Sequence, residues 1–191
     1  FNGINDIYRT TDPDYQGSAT VPVLFDKKLN RIVSNESAEI IRMFNSVFNP
    51  WAGNPGLDLY PAALREKIDA INDWTYRLFN NGVYRAGFAK SQAAYETAFA
   101  DVFNALDRME TILSETPYLC GDQLTESDVR AYVTLFRFDP VYFIRFKCNR
   151  SMIEFGYPNL WAYLKRLYNI PGFAESSNLN HIKNGYFGRT G

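Results

Sequence analysis

Cysteine and histidine are scarce in this 191-residue sequence: there are two cysteines, Cys120 and Cys148, and one histidine, His181. Two cysteines give neither a disulfide framework nor a cysteine-based zinc site, and a lone histidine leaves a catalytic triad or a histidine metal cluster without its parts. No metal is expected, and a reducing compartment fits. Long hydrophobic runs are lacking too. No apolar stretch nears the roughly 18 residues that a membrane helix needs, and the opening Phe1-Asn2-Gly3-Ile4-Asn5-Asp6 lacks the basic and apolar regions of a signal peptide. Neither sign of charge dominates. A net charge of -1 offers no basic face to nucleic acid or to an anionic membrane, and the cluster Arg145, Lys147 and Arg150 reads as solvated surface. The expectation is a soluble, cytoplasmic protein with a small-molecule ligand.

Aromatic residues are abundant, with Phe 15, Tyr 13 and Trp 3, which suits large rings filling the spaces between helices. Residues 21 to 25 (Val-Pro-Val-Leu-Phe) and Ile32-Val33 read as two strands joined by the polar turn Asp26-Lys27-Lys28-Leu29-Asn30, a β-hairpin. Ser34-Asn35-Glu36-Ser37 then supplies capping side chains, and Ile40, Ile41, Phe44 and Phe48 follow at helical spacing. The whole is a short βββα-like piece. Pro50, Gly53, Pro55, Gly56 and Pro61 break any regular element and mark a linker.

Beyond it the period is helical. Leu64, Ile68, Ile71, Trp74 and Leu78 form one stripe, and Tyr95, Phe99, Val102, Phe103, Leu106, Met109 and Leu113 another, implying two long antiparallel helices. Thr125-Glu126-Ser127-Asp128 reads as a capping box before a helix with Val129, Tyr132, Val133, Leu135 and Phe136 on its apolar side, which Pro140 should bend or end. Another helix runs from about Asn159 to Tyr168 and stops at Pro171-Gly172. The domains are read as 1–49, a linker at 50–61 and an all-α domain at 62–191. An opening Phe1 and a closing Gly188-Arg189-Thr190-Gly191 with no terminal element suggest further sequence at both ends.

Thr20-Val21-Pro22-Val23-Leu24 followed by Asn35-Glu36-Ser37-Ala38-Glu39-Ile40-Ile41 resembles the glutathione-binding half of a thioredoxin-fold transferase. A cis proline at the head of a strand would turn the Val21 N–H and C=O into a cleft, where they can pair with a peptide backbone. Fifteen residues on, a helix N-terminus favours a carboxylate, which Ser37 can bind, while Glu36 can hold an ammonium. The plain alternative is that Asn35 or Ser37 caps the helix and Pro22 starts an edge strand.

Leu124 to Asp128 and Ile170-Pro171-Gly172-Phe173 are similar to fold markers of glutathione transferases. Val33 to Met43, Asn80 to Ala89 and Arg137 to Tyr142, with Phe146-Lys147-Cys148 and His181 to Phe187, are similar to the glutathionyl-hydroquinone reductases, or xi-class glutathione transferases. The resemblance implies the glutathione transferase fold, with a truncated thioredoxin-like α/β domain before an all-α bundle. It further implies glutathione as co-substrate, held by Val21, Pro22, Glu36 and Ser37, and an aromatic quinol between the domains whose hydroxyls meet Tyr84 and Tyr186. A homodimer is expected from the same likeness.

In that family a Cys-Pro-Trp-Ala thiolate attacks the sulfur of a glutathionylated hydroquinone, and a second glutathione resolves the mixed disulfide. Neither Cys120 nor Cys148 lies in such a motif. Both read as structural thiols, so the nucleophile is expected upstream and this chain alone is expected to be inactive. Gly185 stands where the family commonly has a histidine, and Ser18 where it has an arginine. The rival readings are a non-catalytic glutathione-transferase-like binding module and an omega-like thiol transferase or dehydroascorbate reductase.

Overall fold

The computed structural model describes residues 1–188, and the chain divides into two compact units, Phe1–Tyr60 and Pro61–Gly191. Residues 189–191, on which the reading of an open C-terminal end falls, lie outside the described residues.

The first unit opens with a helix, α1 (Ile4–Thr11), that buries Tyr8. Asp6 in its first turn accepts the Asn2 N–H at 2.8 Å, an acid placed where the helix dipole favours it. Two short strands follow, β1 (Leu24–Asp26) and β2 (Arg31–Ser34), antiparallel with Phe25 opposite Ile32 and Asp26 opposite Arg31. The turn is built by Asp26, whose Oδ1 accepts the N–H groups of Lys28 at 2.8 Å and Leu29 at 2.9 Å. Asn30 completes it at φ 53°, a left-handed conformation that asparagine tolerates.

The expected βββα order is therefore corrected to αββα. Residues 21–23 are not strand: proline brings no N–H to a ladder, and pairing begins only at Leu24. The Ile32 N–H instead reaches the Thr11 hydroxyl at 2.8 Å and ties β2 to α1. Helix α2 (Ser37–Asn45) buries Ile40 and stops short of Phe48. Its last residue, Asn45, accepts the Leu59 N–H at 2.7 Å and donates to Asp58 at 2.8 Å, which closes the breaker-rich loop upon the helix.

The second unit is helical, with α3 (Arg65–Thr75), α4 (Gly82–Gly87), α5 (Gln92–Glu115), α6 (Glu126–Arg137), the short α7 (Phe143–Arg145) and α8 (Ile153–Gly156), α9 (Pro158–Tyr168) and α10 (Leu179–Phe187). Its core takes Ile68, Ile71 and Trp74 from α3, Val102, Phe103, Leu106 and Met109 from α5, Leu135 from α6, and Leu160, Tyr163 and Leu167 from α9. One expectation shifts by a residue. A π turn at Tyr76–Asn80 widens the helix after α3 and rotates the following face, so that Phe79 rather than Leu78 is fully buried. A second π turn, Phe138–Tyr142, takes over from α6 around Pro140, which has no N–H to continue the helical ladder.

Gly82 allows α4 to lie close to α5: a Cβ there would stand 3.0 Å from a Val102 methyl. The capping box at Thr125 and Asp128 is formed, and all four residues from Thr125 to Asp128 are buried. Val133, expected on the apolar face of α6, is instead 47% exposed. Helix α9 starts under Glu110 of α5, whose carboxylate accepts the N–H groups of Asn159 and Leu160 and the Asn159 side chain, each at 2.8 Å. Among the described residues no helix is long and apolar enough to cross a membrane.

Candidate functional site

In the first unit the Val21–Pro22 peptide bond is cis, and Val21 is 77% exposed. Among the described residues, neither the N–H nor the C=O of Val21 makes a hydrogen bond. The start of α2 is equally open. Glu36 occupies the N-cap with extended backbone, but no side chain caps the helix, and both Glu36 and Ser37 are exposed. The plain reading, in which Asn35 or Ser37 serves as the cap, is thereby overturned. The N–H groups of Ser37 and Ala38 find no acceptor among the described residues, so the positive end of α2 is unoccupied by the protein itself.

Behind this surface two small networks fix the backbone. Ser34 is buried, accepts the Glu36 N–H at 3.1 Å and donates to Glu39 at 2.8 Å. Tyr8 donates to the Thr20 carbonyl at 2.9 Å and accepts the Asn35 side-chain amide at 3.1 Å. Sequence reasoning missed Tyr8, whose partners lie 12 and 27 residues away.

In the second unit Tyr84 of α4 and Tyr186 of α10 come together, their hydroxyls 2.6 Å apart. A third phenol joins them. Tyr142, the last residue of the second π turn, stands 3.1 Å from the Tyr84 hydroxyl and 3.2 Å from that of Tyr186. The rings pack edge to face, with centroids 5.7 Å apart for Tyr84 and Tyr142 and 5.8 Å for Tyr142 and Tyr186. Phe146 stacks on Tyr142 at 5.3 Å and meets Tyr84 edge-on at 5.3 Å. That seat depends on Gly87, because a Cβ there would stand 2.3 Å from the Phe146 ring.

Tyr142 is 2% exposed, whereas Tyr84 is 36% exposed. Burial first, and then the hydrogen bonds to Tyr186 and Tyr84, hold the Tyr142 pKa far above that of an ordinary phenol. Burial also raises Tyr84, against the opposing hydrogen bond with Tyr142. Both stay protonated at neutral pH and can act as hydrogen-bond donors. The sequence signal for Tyr142 was its place at the end of the Arg137-Phe138-Asp139-Pro140-Val141-Tyr142 string, which carried kinship but no assigned role.

The two cysteines are free and buried. Cys120 lies 3.5 Å from the Ser127 hydroxyl, and burial pushes the Cys148 thiol up to about 12. Both side chains are shut off from solvent, and burial keeps the Cys148 thiol protonated at neutral pH. His181 is exposed in the first turn of α10, and its backbone N–H is accepted by Asn178 at 2.9 Å. Gly185 faces open space: a Cβ there would meet nothing within 4 Å. No group of three or more His, Cys, Asp or Glu side chains that could hold a metal ion occurs among the described residues.

A small two-stranded sheet with flanking helices ahead of a helical bundle is the glutathione transferase fold, its thioredoxin-like domain present in part. The family described as glutathione S-transferase, C-terminal domain, matches residues 92–166. Over nearly its whole length the chain is similar to the glutathionyl-hydroquinone reductases, the xi-class glutathione transferases. It is 54% identical over 181 residues to glutathionyl-hydroquinone reductase YqjG of Escherichia coli K12, an alignment covering 95% of this chain and 55% of YqjG. Glutathione transferase Xi 1 of Trametes versicolor has a crystal structure that matches with a TM-score of 0.94 at 50% identity, covering 98% of this chain and 65% of that one. The glutathione-bound structure of YqjG matches with a TM-score of 0.91 at 53% identity, covering 97% and 59%. The chain thus spans 55 to 59% of the length of the curated relatives that it matches.

Proposed function

We propose that the protein containing this chain removes glutathione from glutathionyl-hydroquinones. The observation that carries the reading is the contact of three phenol hydroxyls, Tyr84, Tyr142 and Tyr186, within 2.6 to 3.2 Å of one another beside an aromatic wall. Such a cluster suits an oxygen-bearing aromatic ring, and two of its members are held neutral as donors. In the first unit the Val21 backbone would pair with the cysteinyl backbone of glutathione. Ser37 and the open N-terminus of α2 would take the γ-glutamyl carboxylate, and Glu36 its ammonium.

The thiolate is assigned to sequence outside this chain, since Cys120 and Cys148 are buried. It would attack the sulfur of the substrate thioether. The carbon–sulfur electron pair passes to the ring carbon, which takes a proton as the hydroquinone leaves, and a cysteinyl-glutathione disulfide remains. A second glutathione thiolate displaces the cysteine, giving oxidised glutathione. A homodimer and a cytoplasmic setting belong to the same reading.

The test is the release of menadiol from glutathionyl-menadiol by the full-length protein, with dehydroascorbate as the competing substrate. Menadiol should be released, and Tyr84→Phe should lower kcat about tenfold or more with little change in the KM for glutathione. Reduction of dehydroascorbate without menadiol release would remove the proposal.

A further inference from the structure

We infer that Tyr8 is a positioning residue for the glutathione seat, acting through Thr20 and Asn35. The inference rests on the reading of Val21, Glu36 and Ser37 as that seat. Thr20 immediately precedes Val21, and Asn35 immediately precedes Glu36. The two halves of the seat therefore hang on separate loops, and one oxygen atom ties both loops to α1. The Tyr8 hydroxyl donates to the Thr20 carbonyl at 2.9 Å and accepts the Thr20 N–H at 3.3 Å and the Asn35 Nδ2 amide at 3.1 Å. The Thr20 hydroxyl stands 3.2 Å away.

A phenol has one proton and two acceptor positions, so this oxygen is fully engaged by the protein and has nothing left for a ligand. Tyr8 is also 5% exposed, with its ring against Tyr15 at 4.8 Å. It thus acts on the seat without touching what the seat holds. Removing the hydroxyl leaves the ring in place but strips Thr20 and Asn35 of their common partner. The Val21 backbone and the start of α2 then lose a fixed spacing.

Full-length Tyr8→Phe, assayed with glutathionyl-menadiol, should show a KM for glutathione raised about tenfold, the order set by one lost partner of a buried polar group. Its kcat at saturating glutathione should stay within about twofold of the parent. A lowered melting temperature with an unchanged KM would reduce Tyr8 to a packing residue and overturn the inference. So would a fall in kcat at constant KM. Should Tyr8→Phe not fold, Asn35→Ala removes one arm of the contact, and an unchanged glutathione KM there would overturn it equally. Ser37→Ala separates the two levels: if it leaves the glutathione KM untouched, the seat itself is misplaced, whereas a raised KM beside a normal Tyr8→Phe defeats the role of Tyr8 alone.

Discussion

Replacing Asp128 by asparagine should cost the helical unit about 3 kcal/mol, although the two side chains are nearly isosteric. Asp128 is fully buried. Its Oδ1 accepts the Leu119 N–H at 2.9 Å and the Tyr163 hydroxyl at 2.6 Å, and its Oδ2 accepts the Thr125 N–H at 2.8 Å and the Thr125 hydroxyl at 2.9 Å. Either hydroxyl can rotate to accept from an amide, but a backbone N–H cannot. Whichever way the new amide turns, its nitrogen faces the N–H of Leu119 or of Thr125.

One buried donor is then left unmet, at about 1 to 3 kcal/mol, and the surviving bonds lose the strengthening that a carboxylate gives them. With a urea dependence of about 2 kcal/mol per molar, the unfolding midpoint should fall by about 1.5 M, followed by far-UV circular dichroism at pH 7. Asp128→Ala should fall further, because all four donors lose their acceptor. Thr125→Ala should cost only about 1 kcal/mol, the ordinary worth of a cap. An Asp128→Asn midpoint within about 0.2 M of the parent would show that the buried carboxylate is not what organises this junction.

Two further outcomes concern Cys148, which is buried, and Glu110, which is half-buried, in the same unit. Cys148 should resist Ellman's reagent in the native state and react on unfolding. Because its folded value of about 12 lies above the 9.0 of a free thiol, its contribution is complete below pH 9 and lost as pH rises toward 12. That gap is worth about 4 kcal/mol, and Cys148→Ala should flatten the loss of stability seen in denaturant titrations above pH 9. Glu110→Gln should cost about 1 to 2 kcal/mol in urea unfolding, since an amide in place of its carboxylate must face the N–H of Asn159 or of Leu160. A variant as stable as the parent would remove Glu110 as the cap of α9.

Local patterns were legible where one short stretch holds all the information. The turn at Asp26 to Asn30 and the Thr125-to-Asp128 box each draw their bonds from residues within three or four positions, and each appears where the spacing puts it, whereas α2 starts in the expected place without the expected side-chain cap. Helix α1 was not legible, because its eight residues carry only Ile4, Ile7 and Tyr8 toward a core and Gly3 offers no capping side chain. The phase change from Leu78 to Phe79 needs a π turn that no periodicity announces. The phenol cluster was half visible: kinship pointed to Tyr84 and Tyr186, but Tyr142 joins them across 58 and 44 residues of chain. Tyr8 escaped for the same reason, since a hub is defined by what arrives from elsewhere.

The phenol triangle also has a proton count. Three hydroxyls bring three hydrogens to three edges, so a closed circuit spends every one of them, and it can run in either sense. A fourth oxygen meets a ring with lone pairs to offer but no spare hydrogen. An oxygen that carries a hydrogen can join by donating, whereas an anionic oxygen is served only when one edge opens and turns its hydrogen outward. Closed, the triangle offers a visitor only lone pairs; with one bond opened it offers a hydrogen, and the charge on the visitor decides which it meets.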